Sequence, residues 1–180
     1  MCGLTSLPRL ASINQEVGSM WQSEVSIDID VPASEAYRYL ADFPRHQEWA
    51  YAQMAYLKQL TPGPIRVGSE FDAAETVPFK AVTHSRITAL VPGSRIAWHA
   101  WWGPGSAFDW EFVLSERDGG THLVQRTAWQ TALLFRVLSW PLIVRRRRQM
   151  PVENRHSLER IKAKLEEGAV ASVDQAGAVQ

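Results

Sequence analysis

Residues 95–130 read RIAWHAWWGPGSAFDWEFVLSERDGGTHLVQRTAWQ, and this stretch decides the fold. Successive side chains of a strand point to opposite faces of a sheet, so residues of one parity share a face. Ile96, Trp98, Ala100 and Trp102 form one such set, and Phe108, Trp110, Phe112 and Leu114 form the next. Gly103-Pro104-Gly105 and Asp118-Gly119-Gly120 separate the segments with the residue types of tight antiparallel connections. A sheet face this rich in indole needs a cover, either a packed helix or a bound apolar molecule.

Working outward, the same alternation predicts strands over 53–60, 68–77, 81–91, 95–102, 107–115 and 121–130. Ahead of them, Val25, Ile27, Ile29 and Val31 alternate with polar residues and form an opening strand that Pro32 ends. Ser34 is the expected N-cap of a helix through Leu40. Phe43-Pro44 breaks that helix, and a second short one is expected over 45–49. Beyond the strands, residues 133–167 are expected to be helical, with Pro141 and Pro151 as breaks or kinks. Leu158, Ile161 and Leu165 give that helix an apolar stripe. The predicted fold is therefore α+β: one strand, two short helices, about six antiparallel strands, and a closing helix long enough to cover the sheet.

A chain of 180 residues is long enough for one domain with a sizeable core. Lys+Arg and Asp+Glu both count 19, so no global field draws the chain to nucleic acid, and no nucleic-acid partner is expected. Cys2 is the single cysteine, which excludes an intramolecular disulfide and a cysteine-based zinc site and suits a reducing cytoplasm. Residues 1–20 read as a loose tail without the pattern of a secretory signal, and Met20 is an alternative start. Residues 169–180 read as a disordered tail, which leaves 21–168 as the domain. The apolar run 133–144, interrupted by Arg136, is too short to span a bilayer.

The local motifs then point to a family. Ile29 to Tyr37 (strand, Pro32, helix), Leu40-Ala41-Asp42-Phe43-Pro44 with Trp49, Pro62-Gly63-Pro64 followed by Val67-Gly68 and Phe71, Ile87 to Gly93, Gly120-Thr121 and Leu158 to Glu166 occur in order. Together they resemble the START-like (SRPBCC) superfamily of polyketide cyclases/dehydrases and lipid-transport proteins, with its helix-grip fold, over roughly residues 21–168. The resemblance implies a cavity between sheet and closing helix that holds a lipid-like, polycyclic or aromatic molecule. It implies little about chemistry, since fold does not fix function.

The candidate ligand-binding residues are Phe71, Trp98, Trp102, Phe108, Trp110, Gln125, Thr127 and Trp129. On the last strand, Thr121, Leu123, Gln125, Thr127 and Trp129 are expected to face inward. Gln125 and Thr127 then either meet a ligand or bond to each other and the backbone. Glu75 shares the parity of Phe71 and Ala73, and His84 lies on a central strand; these two are the candidate acid/base residues. The histidines show no metal-ligand spacing, and neither a metal nor a cofactor is expected. Arg145, Arg146, Arg147 and Arg148 follow an apolar segment. The run is either a solvated turn of helix or a contact with anionic lipid headgroups. Three function classes follow: a binding or carrier protein for a small hydrophobic ligand, an aromatase/cyclase or dehydrase-type enzyme in the same cavity, and an interaction or peripheral membrane-contacting module. The oligomeric state is left open.

Overall fold

Alternating apolar and polar residues produce seven strands: β1 (Trp21–Ile29), β2 (Met54–Gln59), β3 (Glu70–Glu75), β4 (Ala81–Val91), β5 (Arg95–Trp102), β6 (Ser106–Arg117) and β7 (Gly120–Thr131). The computed structural model describes residues 21–50, 54–75, 81–132 and 137–177. All strand pairs are antiparallel, in one sheet of order β1-β7-β6-β5-β4-β3-β2. The chain leaves β1 at one edge, makes α1 (Ala33–Ala41), a 3-10 turn (Phe43–Arg45) and α2 (His46–Trp49), and re-enters the sheet at the opposite edge with β2. It then meanders back strand by strand until β7 pairs with β1. The long helix α3 (Trp140–Gly177) lies across the inner face.

Turn chemistry sets the register. Asp118 and Gly119 link β6 to β7 at φ 51° and 83°, with Arg117 opposite Gly120. Two successive positive φ values make the mirror-image turn whose twist suits a hairpin, which is why Asp-Gly stands there. Gly120 has a different reason: a Cβ at this position would lie 2.5 Å from the Ile29 carbonyl oxygen.

The register puts the expected parity inside. Thr121, Leu123, Gln125, Thr127 and Trp129 are all buried, as are Ile96, Trp98 and Ala100 on β5. Ile29, Leu40, Phe71, Ile96 and Phe112 pack with Leu158, Ile161 and Leu165 of α3 in the main core. A second, smaller cluster joins Trp129 to Ile143 and Met150 of α3. The buried helix positions 143, 150, 154, 157, 158, 161 and 165 fall on one face at helical spacing.

The helix ends differ from expectation. Glu35 and Ala36 donate their backbone N–H groups to the carbonyl of Pro32, so Pro32 is the N-cap and Ser34 lies inside α1. Pro141 sits in the first turn of α3, where a missing N–H costs nothing. Pro151 does not break the helix: it removes one donor, while Met150 and Asn154 beside it stay buried. The helix continues to Gly177, past the point where an irregular tail was expected. Extending a formed helix adds a hydrogen bond per residue fixed, without a new nucleation cost. The expected N-terminal tail and the helix start at Leu133 lie outside the described residues.

Candidate functional site

Between the sheet and α3 lies a cavity of about 130 Å³. Its sheet side carries Trp98 of β5 and Trp110 of β6, with Thr83, Ser85 and Gln125. Trp98 and Trp110 are directly opposite each other across the strand pair, with rings 6.0 Å apart and 6° from parallel. The α1–β2 connection supplies Phe43, His46 and Trp49. His46 and Trp49 share a face because they are three apart on a helical turn. Their rings meet at 4.0 Å, tilted by 36°, and both Phe43 and His46 meet Trp98 edge-on, at 5.4 and 5.5 Å. The third side is α3, which presents Arg146, Glu153, Asn154 and Ser157.

The site is thus apolar at the aromatic end and polar along the helix. Arg146 and Glu153 form an ion pair within the lining, so its two charged groups neutralise each other. Asn154 donates to Thr127 Oγ1 at 3.1 Å, a fully buried bond. Gln125 is 2% exposed, and its Oε1 has no partner among the described residues. Nor has Nδ1 of His46. Part of His46 is exposed as a residue, but Nδ1 is enclosed. Burial pushes the imidazole pKa down to about 3, because a cation there would lose its hydration. His46 is therefore neutral at physiological pH.

The structure brings Trp98, Trp110 and Gln125 to the cavity and places the other candidates whose side chains are described elsewhere. Thr127 is buried behind the lining as the partner of Asn154. Trp129 packs on Ile143 and Met150, donates from Nε1 to Ser106 Oγ at 2.8 Å, and stacks on Phe108 at 5.4 Å. Phe71 packs on Phe43 at 4.8 Å in the core. Trp102 is half-buried at the end of β5 and is not among the cavity residues. His84 stands on the outer face of the sheet, between Thr83 and Ser85, which face in. There its Nδ1 lies 2.6 Å from Asp72 of the neighbouring strand. A strand's two faces are separated by its own backbone, so His84 does not reach the cavity. Glu75 ends β3, but its side chain lies outside the described residues.

Most of the lining went unselected from the sequence, including the aromatic Phe43 and Trp49 and the polar His46, Glu153, Asn154 and Ser157, while Arg146 was singled out there only as part of the arginine run. The α3 stripe carried a signal for two of them, since Asn154 and Ser157 precede Leu158 and Ile161 on its buried side. His46 carried one through its three-residue spacing to Trp49. The four arginines divide, because consecutive helical positions are about 100° apart. Arg145 and Arg148 are exposed, Arg146 faces the cavity, and Nε of Arg147 is buried without a partner among the described residues. The whole run is therefore not one solvated or lipid-facing surface.

Among the described residues, no group of three or more His, Cys, Asp or Glu is arranged to hold a metal ion. No helix among them is long and apolar enough to cross a membrane.

No curated protein matches the chain in sequence. Among solved structures, the di-domain ARO/CYC StfQ from the steffimycin biosynthetic pathway superposes with a TM-score of 0.68 at 19% identity over 83% of this chain. The chain spans about half of StfQ, 52% of its length. The ZhuI aromatase/cyclase from Streptomyces sp. R1128 superposes with a TM-score of 0.65 at 17% identity, covering 82% of this chain and 94% of ZhuI. CV1439 from Chromobacterium violaceum gives 0.60 at 18%, covering 81% and 96%. At these identities the likeness shows the fold, a helix-grip sheet closed by its C-terminal helix. The model of the family described as polyketide cyclase / dehydrase and lipid transport matches residues 20–166, and the chain belongs to that family.

Proposed function

We propose that the protein binds a small hydrophobic or aromatic molecule in the cavity between its sheet and α3. The carrying observation is the cavity itself, walled by Phe43, Trp49, Trp98 and Trp110 and closed by α3. Such a site holds its ligand by removing apolar surface from water, at about 25 cal/mol per Å². Trp98, Trp110 and Gln125 are the contact residues carried over from the sequence, and His46 and the α3 polar groups join them. A reducing compartment such as the cytoplasm suits a chain with one cysteine. The test is a titration with apolar ring compounds, followed through tryptophan emission and native mass spectrometry. Saturable binding that weakens in Trp110→Ala supports the reading; no saturable binding by any ring compound or lipid refutes it.

The aromatase/cyclase reading shares this cavity, and its support is the likeness to StfQ and ZhuI together with His46 and Glu153 in the lining. Wild-type conversion of a bound polyketide-like molecule, lost in a lining variant that still binds, would favour it over a carrier.

A peripheral contact with anionic lipid is the second proposal, now on different residues. Val137, Leu138 and Trp140 are 66%, 74% and 53% exposed beside the exposed Arg145 and Arg148. Apolar side chains next to arginines suit the headgroup boundary of an anionic bilayer. Co-sedimentation with phosphatidylserine vesicles, lost in Trp140→Glu, supports the contact; equal recovery with and without vesicles refutes it.

A further inference from the structure

Size, charge and unmet hydrogen bonds at the cavity narrow the ligand, on the reading that the cavity is a binding site. An apolar cavity of roughly 150 Å³ takes a single benzene ring, and this one is about 130 Å³. The volume matches a single ring rather than a fused polycycle held wholly inside. The charged groups in the lining, Arg146 and Glu153, are paired with each other. A charged ligand would have to separate them, leaving one partner half-buried and alone. The remaining polar atoms of interest are neutral. Gln125 Oε1 and His46 Nδ1 are both buried, and neither has a partner among the described residues, although both residues line the cavity. Buried polar atoms are normally bonded, and an orphan in an otherwise satisfied wall marks where a ligand supplies the bond. The donor and acceptor ends of an amide, and the tautomer of an imidazole, are set by their partners. A hydroxyl both donates and accepts, so it completes either arrangement, whereas a carbonyl or an ammonium completes only one.

The geometry points to a neutral, single-ring phenol as the ligand class, its ring against Trp98 and Trp110 and its hydroxyl bonded to the amide of Gln125 or to the imidazole of His46. The burial that keeps His46 uncharged acts in the same direction, because a neutral imidazole does not call for an anion.

The experiment is an NMR titration of the indole N–H resonances of the full chain with four probes: p-cresol, p-xylene, p-toluate and anthrol. The first two are nearly isosteric, so their difference isolates the hydroxyl. The expected result is p-cresol tighter than p-xylene by roughly tenfold, the worth of one hydrogen bond to an otherwise unsatisfied group. Both p-toluate and anthrol are expected to bind more weakly than p-cresol. Gln125→Leu or His46→Phe should bring p-cresol and p-xylene to equal affinity while p-xylene still binds, which also shows that the variant is folded. Several outcomes overturn the inference while leaving the cavity as a binding site. These are equal binding of p-cresol and p-xylene to the wild type, a hydroxyl preference that survives in both variants, and p-toluate or anthrol as the tightest probe. Saturation by none of the probes or by any larger apolar compound removes the cavity reading itself.

Discussion

His46 makes the folded state sensitive to mild acid, and the size of the effect can be worked out. In the folded protein burial holds its pKa at about 3; in the unfolded chain it returns to about 6.5. Between those values the unfolded chain binds a proton that the folded chain does not, so stability falls as pH falls. The contribution is intact above pH 6.5 and declines below it at up to ~1.4 kcal/mol per pH unit. From pH 7 to pH 5 this integrates to about 2 kcal/mol. The residue is partly exposed, which lets water reach the ring and reduces the expected loss to ~1–2 kcal/mol. The assay is urea unfolding followed by tryptophan emission at pH 7, 6 and 5, for wild type and His46→Phe. Contributions from all other groups are common to both proteins and cancel in the difference. The wild type should lose ~1–2 kcal/mol more than the variant over this range, with an unchanged denaturant slope. Parallel pH profiles would refute the enclosure of His46 and the neutrality assigned to it.

Trp98 is 5% exposed and touches Phe43, His46, Trp110 and Phe112, so Trp98→Ala should cost about 3–5 kcal/mol in denaturant unfolding. Gly120→Ala forces a Cβ to 2.5 Å from the Ile29 carbonyl and should lower stability by ~1–3 kcal/mol; an unchanged melting temperature would contradict the close approach. Asn154→Leu strands the buried Thr127 hydroxyl and should cost ~1–3 kcal/mol, part of it recovered when Thr127→Val is added. Asp28 is held below its usual pKa of 3.8, first by its bond to His122 and then by Arg117 and Lys162 nearby. Its carboxyl titration by NMR should therefore have a depressed midpoint that rises in His122→Ala, and stability tied to this group is present above pH 3.8 and lost as pH falls from there through that midpoint.

The outer face of the sheet shows where His84, the histidine chosen as an acid/base candidate, and two further histidines are engaged. Asp72 stands opposite His84, Asp109 opposite His99, and Asp28 opposite His122, each within 2.7 Å. Directly opposed residues on adjacent strands are the natural partners in a sheet. These histidines are absorbed by cross-strand pairing on the outer surface, while the histidine at the cavity comes from the short helical turn after α1.

Local periodicity determined a large part of this protein. The meander from β3 to β7 follows from alternation and Gly/Pro punctuation, because a strand's two faces are set by parity alone and its turns by the φ values that glycine permits. The inward set on β7 and the apolar stripe of α3 were legible for the same reason. What sits beside what across the fold was decided only by tertiary structure. Parity placed Trp98, Trp110 and Trp129 on the inner face, but the crossing of α3 determined that Ile143 and Met150 cover Trp129 while Trp98 and Trp110 remain at the cavity. The arginine run divided because each residue's facing depends on how the helix is rotated against the sheet. Gln125 Oε1 and His46 Nδ1 became conspicuous only once every surrounding atom was in place, since an unmet hydrogen bond is a property of neighbours brought together from β7, α2 and α3 and not of any segment of the chain.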